Sequence, residues 1–314
     1  MDKIQKAIEE HRPSLSASSL KVYLTNLNKL KNAIDKDGKG ITFLKKREEV
    51  IEYLQKLKVA TQQTYLIAIR NALLALNEKG KMDKLLEFYY NKFLNNKKMI
   101  DEERNKNEKT EKQEKNWATM DELRDVMNEY GKKIKAEGLA KKSELSKKEM
   151  ELLQKWLVAN LYLHDENPPI RLDYSPMTVI SEADLADAPK DQNYLVVKSR
   201  NRKYFVFNDF KTKKSQGAKE IKVGSKLNSA LNLWLKHNKS GSLLLNGSGK
   251  PMSSNHLSKY IMSVFAPTGK KIGASMLRHI YISEKFEPQK KEKEDVADKM
   301  MHSVAEQSVY AKDD

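Results

Sequence analysis

Five side chains in the second half of this chain have the types and local contexts for chemistry at a phosphodiester: Arg171, Lys211, Arg278, His302 and Tyr310. Arg171 stands in Asn167-Pro168-Pro169-Ile170-Arg171-Leu172-Asp173-Tyr174. A guanidinium offers a rigid fork that makes two parallel charge-assisted bonds to phosphate oxygens and does not deprotonate; the plainer alternative is a loop arginine paired with Asp173. Lys211 lies in Asn208-Asp209-Phe210-Lys211-Thr212-Lys213-Lys214, and Lys213 and Lys214 compete with it. An ammonium can hand a proton to a departing oxygen, yet a lysine in a basic turn ordinarily meets solvent or a nucleic-acid backbone. Arg278 belongs to Ala274-Ser275-Met276-Leu277-Arg278-His279-Ile280, and His302 and Tyr310 to the run from Met300 to Lys312. His279 reads more simply as a residue packed on its helix, and Tyr310 alone as an aromatic fixing a short helix to the core. The five weigh as a set, in this order and these settings.

Composition limits what such a set can act on. The chain has 314 residues with 59 Lys and Arg against 43 Asp and Glu, a formal charge of +16. That balance attracts polyanions by counterion release and long-range steering, nucleic acid first and a membrane surface second, although abundant lysine also simply decorates solvated faces. Cysteine is absent, which removes disulfides, thiolate zinc sites and cysteine nucleophiles. The opening MDKIQKAIEEHR is charged where a signal peptide needs an apolar core, and no stretch approaches the roughly 20 apolar residues of a membrane span. A soluble protein inside the cell is expected, with charge favouring DNA or RNA only modestly. With no glycine-rich phosphate loop and no His/Asp/Glu cluster at ligand spacing, no cofactor, no metal, no membrane and no small-molecule substrate is expected.

The elements that must position these residues read as mainly α with a small antiparallel β-sheet. Residues 1–98 form a helical domain, 99–116 a charged linker, and 117–314 an α+β domain. In the first domain Leu20, Tyr23, Leu24, Leu27, Leu30 and Ile34 recur at three- and four-residue steps, one stripe of a helix over Ser16–Ile34. Further helices are predicted over Arg47–Leu57, Thr61–Leu76 and Met82–Phe93. The linker DEERNKNEKTEKQEKN has almost nothing to bury. Beyond it, Thr119 and Glu122 form a capping box for a helix over Trp117–Tyr130, and an apolar helix over Ser146–Leu163 ends before Pro168-Pro169. Strands are predicted over Met177–Ile180, Tyr194–Lys198, Lys203–Phe210 and Glu220–Val223, so that Lys211 sits at a hairpin turn. Helices follow over Lys226–His237, Ser254–Phe265, Ser275–Phe286, Asp295–Met301 and about Val304–Tyr310.

In this setting the motifs of 117–310 resemble those of the tyrosine recombinase (integrase) family. The resemblance implies that Arg171 and Arg278 grip a scissile phosphate and that Lys211 protonates the departing 5'-oxygen. It also implies that His302 stabilises charge at phosphorus, and that Tyr310 is the nucleophile that becomes covalently joined to DNA. Ser275 stands where the family carries a histidine; its hydroxyl can bond a phosphate oxygen but is no base near neutral pH, and Ser275 and His279 both remain candidates for that role. Met301 replaces a common glycine, and the step from His302 to Tyr310 is about one residue shorter than in many members. The helical amino-terminal domain would clamp duplex DNA, with Lys21, Lys29 and Arg70 as candidate contacts and Lys213 and Lys214 as further ones. Recombination implies a homo-tetramer on two DNA sites. With only Ala311–Asp314 after the tyrosine, protomers are expected to meet through surfaces other than a long exchanged tail. Recombinases of viruses and mobile elements share this lysine-rich, cysteine-poor style. A type IB topoisomerase, a non-catalytic DNA-binding relic of the family, and a basic helical RNA-binding protein are the competing readings.

Overall fold

The computed structural model describes residues 1–164, 168–198 and 202–300. The chain divides into two compact units, Met1–Glu108 and Lys109–Asp314.

The first unit is helical: α1 (Asp2–His11), α2 (Ala17–Ile34), α3 (Arg47–Gln55), α4 (Val59–Leu76) and α5 (Asp83–Asn105). The charged opening segment is an amphipathic helix, because Ile4 and Ile8, one turn apart, are both buried. Ser16 caps α2 by accepting a hydrogen bond from the Ser19 amide at 3.2 Å. α4 is the centre of the unit and buries Tyr65, Leu66, Ala68, Ile69, Ala72 and Leu73. α5 runs well past the predicted end at Phe93. Its last turns expose nearly every side chain, so no apolar stripe announces them, but they consist largely of good helix formers, and Lys98 and Glu102 pair one turn apart at 3.9 Å.

The second unit begins with α6 (Glu111–Lys115), a short helix inside the predicted linker that Thr110 and Gln113 close with a capping box. α7 (Met120–Ala136) opens on the Thr119–Glu122 capping box read from the sequence. α8 (Lys147–Leu163), capped by Ser146, is buried on most sides, with Leu153, Leu157, Val158, Leu161 and Tyr162 essentially inaccessible. The remaining elements are β1 (Thr178–Ser181), β2 (Tyr194–Val197), β3 (Lys203–Phe207), α9 (Lys213–Gln216), β4 (Lys219–Lys222), α10 (Ser225–His237), α11 (Ser254–Val264) and α12 (Ala274–Lys299). α7, α10 and α11 all pack on α8. The whole is mainly α with one small sheet in the order β1-β2-β3-β4.

Two expectations need correction. The sheet is mixed rather than antiparallel: β1 pairs with β2 in parallel, Thr178 opposite Tyr194, while β2–β3 and β3–β4 are antiparallel. Strand patterning shows which face a residue takes, not which way its neighbour runs, and the connection over 182–193 has the dozen or so residues that a parallel return requires. The predicted helices Ser275–Phe286 and Asp295–Met301 are one helix, α12, as far as Lys299; the lysine- and glutamate-rich stretch joining them has no apolar periodicity to signal continuity. The last predicted helix, over Val304–Tyr310, lies outside the described residues. Among the described residues, no helix is long and apolar enough to cross a membrane.

Candidate functional site

The strand directions gather the chemistry at one end of the sheet. β1 and β2 start at that end, β3, running the other way, finishes there, and β4 starts there again. The segment before β1 carries Arg171, the residue before β2 is Asn193, the segment after β3 carries Asn208 to Thr212, and β4 begins with Lys219. An antiparallel β1 would have sent the Arg171 segment out at the opposite end.

The Arg171 segment is held firmly. The buried Tyr162 hydroxyl of α8 donates to the Arg171 carbonyl at 2.6 Å, and the Ser175 amide donates to the Leu172 carbonyl at 3.0 Å. The Ser175 hydroxyl donates to the Met252 carbonyl, and the Ser254 hydroxyl to the Ser175 carbonyl. Tyr174 is buried between Tyr162 and Phe205, its ring centroid 5.6 and 5.2 Å from theirs, spacings typical of edge-to-face aromatic packing. The backbone is thus fixed on both sides of Arg171 while its side chain stays exposed.

Arg278 arrives from the first turns of α12, where Leu277 and Ile280 anchor the helix in the core. Its Nε makes one long bond, 3.4 Å, to the Ala274 carbonyl. Arg171 and Arg278 line the same cavity of about 290 Å3, together with Asp173, Phe207, Phe210, Thr212, Gln216, Lys219 and Ile221. Among the described residues neither guanidinium has a carboxylate within salt-bridge distance, so the pairing of Arg171 with Asp173 weighed above does not form. Burial, and then the like charge of Arg171, lower the pKa of Arg278. Burial raises that of Asp173, against the pull of Arg171, and Asp209 adds to the rise. Tyr162 is pushed well above the usual phenol value by its burial. Two guanidiniums converging on a half-sheltered cavity, with no salt bridge among the described residues, favour an anionic occupant, since the lowered dielectric strengthens their attraction to it.

The other predicted residues fall around this cavity or away from it. Lys211 is exposed and does not line it, although its neighbour Thr212 does. Lys213 donates to the Lys190 carbonyl at 3.2 Å, and Lys214 is exposed. Ser275 and His279 are exposed on α12 and absent from the lining, so His279 is not the core residue of its helix that the sequence suggested. His302 and Tyr310 lie outside the described residues. In the first unit Lys21 and Lys29 are exposed on α2, whereas Arg70 is half-buried with its guanidinium 5.2 Å from the Tyr90 ring centroid. Among the described residues, no three His, Asp or Glu side chains are grouped to hold a metal ion.

Two residues of the site were missed in the sequence. Lys219 lines the cavity with Ile221, its same-face neighbour two residues on, opposite Phe207 in the sheet; the alternation of β4 was the available signal. Asn193 is buried and satisfies both ends of its amide, and its sequence context carries no signal.

No family model matches the chain, and no curated protein does. Among solved structures it is similar to one titled "Crystal structure of XerA recombinase", at 10% identity over 100% of this chain and 94% of that one, with a TM-score of 0.33. At that score the two chains superpose too poorly for the likeness to bear weight.

Proposed function

We propose that the protein cleaves and rejoins DNA strands through a 3'-phosphotyrosyl intermediate, as a site-specific recombinase or integrase of the tyrosine recombinase type. One observation carries this reading: Arg171 and Arg278, distant in sequence, line one cavity, and among the described residues neither has a carboxylate within salt-bridge distance. In the reaction, Arg171 and Arg278 bind the two non-bridging oxygens of the scissile phosphate and stabilise the charge that builds in the transition state. Lys219, in the same cavity, adds a third cation. Tyr310 attacks phosphorus, His302 donates to a phosphate oxygen, and Lys211 protonates the departing 5'-oxygen. Ser275 and His279, both outside the cavity lining, remain the two candidates for the place of the family's histidine. The phosphotyrosyl link keeps the energy of the broken bond, so a 5'-hydroxyl reverses the step without a nucleotide.

The partner is double-stranded DNA, held mainly through its phosphates. The helical first unit acts as the clamp, with Lys21 and Lys29 on one exposed face, and Lys213 and Lys214 extend the contact in the second. A homo-tetramer on two DNA sites, inside the cell, completes recombination, and the lysine-rich, cysteine-free composition suits a viral or mobile-element enzyme.

Covalent trapping tests the reading. Nicked duplexes of randomised sequence are incubated with the full chain and with Tyr310→Phe, and protein–DNA adducts are isolated under denaturing conditions. An adduct with the wild type that Tyr310→Phe abolishes is expected. No adduct from the whole pool would identify a non-catalytic DNA-binding protein, and an adduct with Tyr310→Phe would move the nucleophile elsewhere. Two-site recombination beside supercoil relaxation then separates a recombinase from a type IB topoisomerase.

A further inference from the structure

We infer that Asn193 is a positioning residue that aims the Lys211 segment at the leaving oxygen; this role rests on the strand-transfer reading. The side chain of Asn193 lies where the site's two separately tethered parts meet. Its Nδ2 donates to the Asp173 carbonyl at 3.0 Å and to the Asp209 carbonyl at 2.8 Å. Its Oδ1 accepts from the Asn208 amide at 2.9 Å and the Asp209 amide at 2.8 Å. Two carbonyls face one end of the amide and two N–H groups face the other, so only one orientation satisfies all four, and it uses the full capacity of the group. The backbone carbonyl of Asn193 also accepts from the Thr178 amide at 3.1 Å. One buried residue therefore ties the Arg171 segment, the start of β1 and the end of β3 together.

Its loss would not be felt equally. The Arg171 segment keeps Tyr162, Ser175, Ser254 and the packing of Tyr174 when Asn193 is removed. The chain leaving β3 has less: Asn193 takes both of the backbone amides at 208 and 209, the side chain of Asn208 adds one bond to the Gln192 carbonyl at 2.9 Å, and Phe210 packs partly buried against the core. Lys211 follows two residues after Asp209, so the direction in which the chain leaves Asn193 sets where its ammonium can reach. In the step concerned, the Tyr310 oxygen forms its bond to phosphorus as the bond from phosphorus to O5' breaks. The Lys211 proton passes to O5', and the tyrosine proton leaves to water. Asn193 touches none of these atoms.

The test uses the full chain and duplexes recovered from the randomised pool by wild-type adduct formation, made in two forms: with the ordinary 5'-oxygen at the cleaved bond, or with sulfur in its place. A thiolate leaves without being protonated, so the sulfur duplex bypasses the proton donor. Asn193→Asp keeps the shape and both accepting bonds, but it replaces an NH2 that donates to two carbonyls with an oxygen that donates to neither when ionised and to only one when protonated. It is expected to slow cleavage of the oxygen duplex by roughly 10²-fold, the lower end of what proton transfer contributes, and to cleave the sulfur duplex at close to the wild-type rate. Lys211→Ala should show the same pattern, and the double variant should be no slower than Lys211→Ala alone, because two groups serving one function are not additive. Arg171→Ala should be slow on both duplexes. Equal slowing of Asn193→Asp on both duplexes, or no slowing on either, overturns the role of Asn193 alone; failure of the wild type to form any adduct overturns the strand-transfer reading and this role with it.

Discussion

Arg171 and Lys211 leave the same end of one small sheet, yet the chain holds them very differently. The Arg171 backbone is bonded by Tyr162, flanked by Ser175 and Ser254, and floored by the Tyr174–Phe205 contact. Lys211 follows the last strand residues on an exposed turn that continues into the four-residue helix α9. In the proposed reaction the contrast would match what each is asked to do. A group that stabilises transition-state charge gains from being fixed before substrate arrives, whereas a proton donor must meet an oxygen whose position depends on bound DNA. On that proposal the site would divide into a preset electrostatic half and a half that is delivered.

The contrast can be broken most severely from below. Phe205→Ala should remove the floor under Tyr174 and cost about 3–5 kcal/mol, as other buried Phe truncations do, seen as a lower denaturant midpoint. A cost below about 1 kcal/mol on that same scale would mean that the Arg171 segment is less tightly set than the geometry says. Next, Arg171→Ala and Arg278→Ala should each slow adduct formation by about 10²–10³-fold with little change in stability, and the double variant should fall short of the product because both act on one phosphate. Arg171→Lys should recover little, since an ammonium cannot make the paired bonds. Smaller still is Tyr162→Phe, which leaves the Arg171 carbonyl without that donor and should cost about 1 kcal/mol of stability, with any catalytic loss unaffected by sulfur at the leaving position. The smallest effect concerns pH. Because burial raises the carboxyl of Asp173, the folded chain holds that proton to a higher pH than the unfolded chain does. Asp173 therefore adds stability as pH falls through its folded pKa toward the ordinary carboxylate value, and loses it again as pH rises. Asp173→Asn should remove that slope from midpoints measured across the window, and an unchanged slope would place its origin in another group.

The sequence made most of the helices legible, for reasons visible in single residues. Ser16, Thr119 and Ser146 cap the helices they were expected to begin; the α2 stripe is buried at Leu27 and Leu30 and half-buried at its other positions, and most of the apolar run of α8 is buried. What it concealed was relational. The parallel pairing of β1 with β2, the continuity of α12 through a stretch with nothing to bury, and the extension of α5 beyond Phe93 depend on partners or on local helix propensity that periodicity does not report. At the site, residue type and context pointed to Arg171 and Arg278, which share the cavity. Lys219 escaped notice because β4 was expected to start one residue later, at Glu220, and Asn193 because a buried amide that joins three segments has no pattern in any one of them. Lys211 stands exposed beside the cavity, and His302 and Tyr310 lie outside the described residues.

The parallel first pair also gives the sheet a far end. There β1 finishes at Ser181, β2 passes into β3 between Lys198 and Arg202, and β4 finishes at Lys222. A strand rises about 3.3 Å per residue, so four or five residues separate the two ends by more than a dozen ångströms. Lys222, exposed at the end of β4, is therefore a natural attachment point: a fluorophore placed there can report on the second unit while leaving the arginine cavity chemically untouched.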